Sequence, residues 1–183
     1  MMQHALEKPM SHPTSSSAAP ASAHVVYTRQ PTPLGEVVLA ATDQGLVGCW
    51  FHDQAHLPDM HTWQRNDQQP LLRQAQQQCL AFFSGTLKQF ALPLHYLWGT
   101  AFQQHVWTAL QRIAYGQTTS YAEIARAVGR PSAFRAVGAA VGRNPLSLVI
   151  PCHRVMGANG ALTGYAGGLQ RKQDLLLLES QHA

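Results

Sequence analysis

The sequence Leu148-Val149-Ile150-Pro151-Cys152-His153-Arg154-Val155 holds the residues around which the rest of the chain is arranged. Its first three residues are an apolar run that predicts a buried strand, which ends at Pro151 because proline cannot continue a sheet ladder. Cys152 follows this rigid element, next to His153 and Arg154, and both side chains can favour a thiolate over a thiol. The pattern suits a nucleophile, but a buried cysteine is also a common core residue, so the octapeptide alone leaves both interpretations open.

Two glycine-rich loops and a helix are predicted after the octapeptide. Residues 156–160 and 162–168 are rich in glycine, which lets the backbone approach another group closely. A last helix over residues 169–179 is expected to point Glu179 back toward His153. Its expected inward-facing residues are Leu175, Leu176 and Leu178.

Two short helices joined by a tight turn are predicted before the octapeptide. Ser120 and Glu123 are spaced as a capping box, which predicts a helix over residues 121–128. Residues 129–131, Gly-Arg-Pro, end that helix, and a second helix is predicted over residues 133–142. This arrangement is typical of a helix-turn-helix, although the pattern is common by chance.

The second of these helices, for which Ser132 is the expected N-cap, has two very different faces. At about 100° per residue, one side holds Ala133, Ala136, Val137, Ala140 and Val141, and the other holds Arg135, Gly138, Ala139 and Gly142. Glycine inside a helix costs about 1 kcal/mol, so a close approach is expected to offset that cost. Such a smooth face suits a groove wall, with Arg135 as the long side chain that enters the groove. Packing of the glycines against another helix of this protein is the alternative.

Arginine is concentrated around these elements. The formal net charge of +4 is ordinary, but residues 112–154 carry six arginines, no lysine and the single acid Glu123. The arginines are Arg112, Arg126, Arg130, Arg135, Arg143 and Arg154. Because the guanidinium group is planar and matches phosphate well, this distribution indicates a polyanionic partner.

The first half of the chain predicts a leader and a small α/β domain. Residues 1–24 include a Ser/Ala-rich stretch without apolar periodicity and are predicted to be a disordered leader. Residues 25–27, 35–42 and 46–51 predict an antiparallel sheet. Pro70 opens a helix that ends near Gly85. Its apolar stripe is Leu71, Leu72, Ala75, Cys79, Phe82 and Phe83.

The domain boundary is expected within residues 92–100, so that residues 25–96 form the N-terminal domain and residues 97–183 the C-terminal one. A packing helix over residues 101–113 opens the second domain and presents Phe102, Val106, Leu110 and Ile113 on its apolar face. The fold class that follows is α+β with two domains, a small sheet with a helix and then a mostly helical domain.

Composition indicates a globular, soluble and cytoplasmic protein. The chain has 183 residues, 45% of them apolar, and it contains neither an apolar run of membrane-spanning length nor a secretory signal. Its three cysteines are too widely spaced for a disulfide framework or a Cys-x-x-Cys metal clip, which fits a reducing compartment. Cys49 and Cys79 are expected to be core residues.

Considered together, these features resemble the O6-alkylguanine-DNA alkyltransferases, bacterial stand-alone type. The resemblance is dense over residues 99–179. It is carried by Gly-Thr-x-Phe-Gln at 99–103, Val-Trp-x-Ala-Leu at 106–110, Tyr-Gly-x-Thr-x-Ser-Tyr at 115–121, Arg-Ala-Val-Gly at 135–138, Asn-Pro at 144–145, Ile-Pro-Cys-His-Arg-Val at 150–155 and Gly-Tyr-x-Gly-Gly-Leu at 164–169. The N-terminal half matches less specifically. The resemblance implies a ribonuclease H-like N-terminal domain and a winged helix-turn-helix-like C-terminal domain that carries the active-site cysteine.

The chemistry that the resemblance implies is a one-step, irreversible and stoichiometric transfer of an alkyl group from guanine O6 to Cys152. His153 would remove the thiol proton through a water, and Glu179 would orient His153. Each molecule would act once, in DNA repair, and no cofactor is expected. Whether O4-alkylthymine is also a substrate, and which alkyl groups are preferred, stay open.

The resemblance also implies how duplex DNA that contains O6-alkylguanine is bound. The damaged base would be flipped out while the helix-turn-helix docks in the minor groove and Arg135 fills the gap. Tyr121 would crowd the 3′ phosphate and donate to guanine N3, and Asn144 would join the helix-turn-helix to the active-site segment. The DNA-contacting set is Ser120, Tyr121, Arg135, Ala136, Gly138, Ala139, Gly142 and Arg143.

The pocket for the flipped base is implied to include Val155, Met156, Tyr165, Ala166, Gly167 and Lys172. Ala166 stands where some members have serine, which removes a hydroxyl that can bind O6. Some animal members hold zinc through N-terminal ligands, whereas here only the scattered His4, His12, His24, His52 and Cys49 are present, so no structural metal is predicted. A monomer without membrane association and near the nucleoid is expected, and cooperative binding along DNA stays open.

Three other classes of protein share some of these features. A non-enzymatic alkyltransferase-like protein has tryptophan in place of the cysteine, so Cys152 argues against it. A transcriptional regulator would use the helix-turn-helix alone, but this sequence contains no second DNA-binding unit. A cysteine hydrolase would also use Cys152 and His153, and it would turn over many substrate molecules.

Overall fold

A four-stranded sheet forms the N-terminal part of the computed structural model, which describes residues 23–183. Strands β1 (Val26–Gln30), β2 (Val37–Ala41) and β3 (Leu46–Phe51) are antiparallel neighbours, as predicted. A short strand β4 (Gln64–Arg65) runs parallel to β1, giving the order β3-β2-β1-β4. It was not predicted, because two exposed polar residues carry no alternating apolar pattern. Residues 1–22 of the predicted leader lie outside the described residues.

Helix α1 (Pro70–Phe83) covers one face of this sheet, where it lies against β2. It begins where the Gln69 side chain accepts a hydrogen bond from the Leu72 amide at 2.7 Å, and proline occupies its first turn. Its buried residues are Leu72, Ala75, Cys79 and Phe82. Four residues of the predicted stripe are therefore confirmed as buried, while Leu71 and Phe83 are half-buried at its edge. Cys49 and Cys79 are both core residues, as predicted.

Helices form most of the C-terminal part. Helix α2 (Ala101–Leu110) begins at a capping box between Thr100 and Gln103 and ends before the predicted residue 113, since residues 111–113 form a turn. Its buried Trp107 donates from Nε1 to the carbonyl of Ala140 at 2.8 Å. This contact fixes α2 against the helix that contains Ala140.

The predicted helix-turn-helix is present. Helix α3 (Tyr121–Ala127) begins at the predicted capping box, and it packs against helix α4 (Phe134–Gly142), which buries Val137, Ala140 and Val141. The N-cap of α4 is Ala133, so the prediction for Ser132 is wrong. The preceding turn closes with a hydrogen bond from the Ala133 amide to the Arg130 carbonyl at 2.9 Å. The helix therefore begins at Phe134, one residue after the predicted start at Ala133.

The apolar run of the octapeptide is not a strand, although Leu148 and Ile150 are buried and Val149 is half-buried. Residues 147–150 form turns, in which the Ile150 amide donates to the Leu146 carbonyl at 2.8 Å and Leu148 has a φ of 70°. A 3-10 helix (Cys152–Arg154) follows, and strand β6 (Val155–Met156) pairs in parallel with β5 (Thr119–Ser120). The cysteine segment is thereby joined to the start of α3.

The C-terminal helix α5 (Leu169–Gln181) packs against the Cys152–Arg154 segment. Its buried residues are Lys172, Leu175 and Glu179, whereas Leu176 and Leu178, which were expected to face inward, are half-buried. The inward face is therefore partly charged. The architecture is α+β as predicted, while the position of the domain boundary stays a prediction. No helix within residues 23–183 has both the length and the apolar character needed to cross a membrane.

Candidate active site

Cys152 lies at the start of the 3-10 helix and is almost completely buried, with 3% of its surface exposed. Its amide donates to the Ile150 carbonyl at 2.8 Å, which fixes the backbone at the sulfur. Burial raises the pKa of the Cys152 thiol, and the hydrogen bond with Asn144 and the charge of Lys172 only partly oppose this effect. The resting side chain is therefore a protected thiol.

His153 and Glu179 form a buried pair behind the cysteine. The distance from His153 Nε2 to Glu179 Oε1 is 2.7 Å, and both side chains are buried. Burial lowers the pKa of His153 despite the neighbouring carboxylate, so the ring is neutral near pH 7. Because an ionised carboxylate can only accept, Nε2 carries the ring proton and Nδ1 holds the lone pair. Within residues 23–183, this buried Nδ1 has no hydrogen-bond partner, which leaves it available as a base.

Glu179 is held on several sides. Arg154 donates to it from Nε at 2.9 Å and from Nη2 at 2.8 Å, and the Gly116 amide donates at 3.1 Å. Burial raises the pKa of Glu179, but the hydrogen bonds from His153 and Arg154 outweigh it and bring the pKa to about 2. The carboxylate therefore stays ionised and keeps His153 oriented.

The contacts of the Arg154 side chain differ from the predicted ones. The sequence suggested that it favours the thiolate of Cys152, but its guanidinium group binds Glu179 and donates to the Ile113 carbonyl at 2.6 Å. Sequence reasoning missed the Arg154–Glu179 and Gly116–Glu179 contacts, because residues so far apart in the chain leave no local pattern.

Asn144 connects the end of α4 to the octapeptide, as the resemblance implied. Its Nδ2 donates to the Ile150 carbonyl at 2.9 Å, and its Oδ1 accepts from the Leu146 amide at 3.0 Å. The residue is buried, so both bonds are shielded from water. Asn144 thus fixes the turn that places Cys152 beside the helix-turn-helix.

Lys172 holds the loops of the predicted pocket together. Its Nζ donates to the carbonyls of Val155 at 2.5 Å, Thr163 at 2.6 Å and Gly164 at 3.2 Å. Burial lowers the pKa of Lys172 to about 8, although the three carbonyls satisfy its protons. The Tyr121 hydroxyl donates to the Thr163 carbonyl at 3.3 Å, so the helix-turn-helix touches the same loop.

The remaining predicted pocket residues lie around this loop. Tyr165 has a hydroxyl that is buried without a partner inside residues 23–183, and burial raises its pKa well above the usual value. The Ala166 carbonyl accepts from the Ala55 amide at 3.0 Å. Gly167 is buried, and a Cβ there would lie 2.7 Å from the Tyr165 ring. Val155 is buried and Met156 is half-buried.

The predicted DNA-contacting residues share the outer side of the helix-turn-helix. Arg135, Ala136, Ala139 and Arg143 are exposed, and Gly138 and Gly142 are half-buried. A Cβ at Gly138 would lie 3.8 Å from the Tyr121 ring, so the smooth face of α4 borders Tyr121. The Ser120 hydroxyl is used in the capping box, where it donates to Glu123 at 3.0 Å.

A separate cavity of about 450 Å³ lies behind the cysteine segment. Its lining includes Phe90, Arg112, Tyr115, Pro151 and Arg154. Since Tyr121, Tyr165 and Ala166 do not line it, this cavity is not the predicted base pocket.

A metal site is not found among the described residues. Within residues 23–183, no group of three or more His, Cys, Asp or Glu side chains could hold an ion. His4 and His12 lie outside that range, so the absence of a structural metal stays a prediction.

Two family models together match most of the chain. The ribonuclease-like domain of 6-O-methylguanine DNA methyltransferase matches residues 25–96, and the DNA binding domain of the same family matches residues 101–181.

Individual proteins agree with these matches. The methylated-DNA–protein-cysteine methyltransferase of Mycolicibacterium paratuberculosis is 46% identical over 87% of this chain and 94% of its own. The crystal structure of the Mycobacterium tuberculosis O6-methylguanine methyltransferase superposes with a TM-score of 0.80 at 43% sequence identity. The crystal structure of OGT from the same organism in complex with DNA superposes with a TM-score of 0.79 at 41% sequence identity. Both superpositions cover 87% of this chain and 94% of the crystallised chain. This chain therefore belongs to the 6-O-methylguanine DNA methyltransferase family.

Proposed function

We propose that Cys152 is the residue that accepts the alkyl group from O6 of a damaged guanine. The chain is a DNA repair protein of a family that transfers alkyl groups to a cysteine. The observation that carries the assignment is the 2.7 Å contact between His153 Nε2 and Glu179 Oε1, which leaves Nδ1 as a base in the residue next to Cys152. Cys49 and Cys79 are fully buried in the core, and the residues that follow them are Trp50 and Leu80 instead of a histidine.

The reaction balances with the groups present. His153 Nδ1 takes the thiol proton, directly or through one water, and the thiolate attacks the alkyl carbon. The sulfur–carbon bond forms as the carbon–O6 bond breaks, and guanine leaves with the electron pair and regains a proton. Because a thioether is not cleaved under these conditions, each molecule reacts once.

Burial of the thiol serves this chemistry. A cysteine with a raised pKa is protonated at rest and resists oxidation, since the thiolate is the reactive form. Closure of the pocket around a base excludes water and keeps the thiolate close to its electrophile. The same buried environment explains why an ionised Glu179, held by Arg154, is needed to stabilise the histidine as it becomes charged.

The damaged base reaches Cys152 by leaving the duplex, because O6 is enclosed in the base pair. The exposed face of α4, with Arg135 beside the small residues Gly138 and Ala139, fits the minor groove, and Arg135 fills the vacated position. Tyr121 lies between α4 and the Thr163–Gly164 carbonyls, where it meets the phosphate beside the target. The protein binds as a monomer close to the nucleoid, where its substrate is.

Intact-protein mass tests this assignment. After reaction with excess duplex that carries one O6-methylguanine, the mass should rise by a single methyl group, and peptide mapping should place it on Cys152. Cys152→Ser should not react, whereas Cys79→Ser should react like the unchanged protein. Selective binding of the lesion duplex without a change in mass would indicate a lesion sensor, and repeated turnover would indicate a hydrolase.

A further inference from the structure

Phe134 is an exposed aromatic residue at the start of α4. Half of its surface, 50%, is accessible. Within residues 23–183 the other exposed large apolar side chains are Leu80, Leu169 and Leu177, which lie on α1 and α5. Phe134 alone among these four belongs to the helix-turn-helix, and the core does not explain its presence there.

The position of Phe134 on α4 places it beside the smooth face. Residues four apart lie on one ridge of a helix, so Phe134 is one turn before Gly138. A Cβ at Gly138 would already touch the Tyr121 ring at 3.8 Å, so this ridge faces Tyr121 and the pocket loop. Arg135 lies on the smooth face itself, with Gly138, Ala139 and Gly142. Phe134 and Arg135 therefore stand side by side at one end of a surface that is otherwise flat.

The charge around Phe134 identifies its partner. Helix α4 contains no acidic residue, it carries Arg135 in its first turn, and Arg143 is its C-cap. The Arg135 guanidinium lies 5.8 Å from the centre of the Phe134 ring, a distance at which the two interact as cation and π system. A second copy of this chain docked on the same face would bring like charges together, whereas nucleic acid supplies phosphate charge and flat apolar base faces.

We propose that Phe134 is an apolar wedge that packs between Arg135 and the base pair next to the position left by the extruded nucleotide. This inference rests on the proposed function. Apolar side chains inserted at base steps in the minor groove partly unstack the DNA, and an aromatic ring compensates because every base offers a π face. Phe134 thus stabilises the extruded state, together with Arg135.

The test compares Phe134→Ala and Phe134→Leu with a matched control, Leu80→Ala, which removes a similarly exposed side chain from α1. Single-turnover methyl transfer from duplex should fall about tenfold in Phe134→Ala, less in Phe134→Leu, and not at all in Leu80→Ala. Alkyl transfer from free O6-benzylguanine should be unchanged in all three. A 2-aminopurine next to the lesion should brighten less with saturating Phe134→Ala than with the unchanged protein, because fewer bases are extruded.

Four outcomes would overturn the wedge. The first is an unchanged rate of methyl transfer from duplex in Phe134→Ala, and the second is an equal loss of rate on duplex and on free O6-benzylguanine. The third is a lower affinity of Phe134→Ala for duplex with full 2-aminopurine brightening at saturation. The fourth is self-association of the unchanged protein that Phe134→Ala abolishes. A duplex rate that falls in Arg135→Ala but not in Phe134→Ala would leave the proposed function intact. No transfer from either substrate by the unchanged protein would overturn the proposed function, and the wedge with it.

Discussion

At the scale of single residues, the site depends on one buried carboxylate and its partners. Glu179 lies between a neutral His153 and a charged Arg154, and all three are buried. A buried ion pair stabilises a protein little in comparison with apolar packing, but removing one partner leaves an uncompensated charge. Arg154 therefore positions Glu179, and through it His153.

Arg154→Met should destabilise the protein by about 3 to 5 kcal/mol at pH 7, because it leaves Glu179 buried without its main cation. The lowered pKa of about 2 means that Glu179 stabilises the folded state above pH 4.5, by about 3 kcal/mol, and that this contribution is lost as the pH falls toward 2. The difference in unfolding free energy between the two proteins, measured by urea denaturation, should thus be largest above pH 4.5 and shrink in acid. A difference that stays constant from pH 7 to pH 3 would show that the charge of Arg154 is not the cause.

At the scale of elements, α4 and α5 serve different parts of the reaction. Helix α4 presents Arg135 on its exposed face, whereas α5 turns Lys172 and Glu179 into the interior. Lys172 joins the carbonyl of Val155 in β6 to the carbonyls of Thr163 and Gly164 in the glycine-rich loop of residues 162–168. We therefore expect α4 to act on DNA and α5 to hold the pocket loop.

Arg135→Ala and Lys172→Met should therefore differ in which substrate they affect. Arg135→Ala should slow methyl transfer from duplex by tenfold or more and leave the reaction with free O6-benzylguanine unchanged, since only the duplex needs its stack filled. Lys172→Met should slow both reactions by a similar factor, because three carbonyls lose their shared donor and the pocket loop shifts. Equal losses on both substrates in Arg135→Ala would remove the gap-filling role.

The elements also show which features a sequence can reveal. Helices α1 to α4 follow from apolar periodicity and capping patterns, because these signals are local. Burial of residues 148–150 follows from their composition, but their turn conformation depends on Asn144 and on contacts with β3, so a strand was wrongly predicted. The Arg154–Glu179 pair spans 25 residues and leaves no periodic signal. The octapeptide already marked Cys152 and His153 as candidates, and the last helix was expected to point Glu179 toward His153. Their roles as acceptor, base and orienting group came only from the resemblance.

At the scale of the whole molecule, the N-terminal part supports the pocket loop. The Ala55 amide donates to the Ala166 carbonyl, and Gln54 accepts from Ser147 at 3.2 Å. Arg171 of α5 reaches across to the same region, where it meets Asp53. The segment that follows β3 therefore holds the pocket loop from the N-terminal side.

Arg171→Met and Asp53→Asn should separate the ion pair from the other interactions of Arg171 that join α5 to the N-terminal part. Asp53 is half-exposed, so its ion pair with Arg171 is screened by water, and Asp53→Asn should cost less than about 1 kcal/mol. Arg171→Met should cost about 2 kcal/mol, because Arg171 also donates to the carbonyls of Leu34 at 2.8 Å and Gly167 at 3.1 Å and covers the Phe51 ring at 4.4 Å. Urea denaturation of both variants measures the two costs. Equal costs would mean that the ion pair carries the contact. A larger cost for Arg171→Met, together with a slower reaction on free O6-benzylguanine, would mean that packing and the bond to Gly167 hold the pocket loop in place.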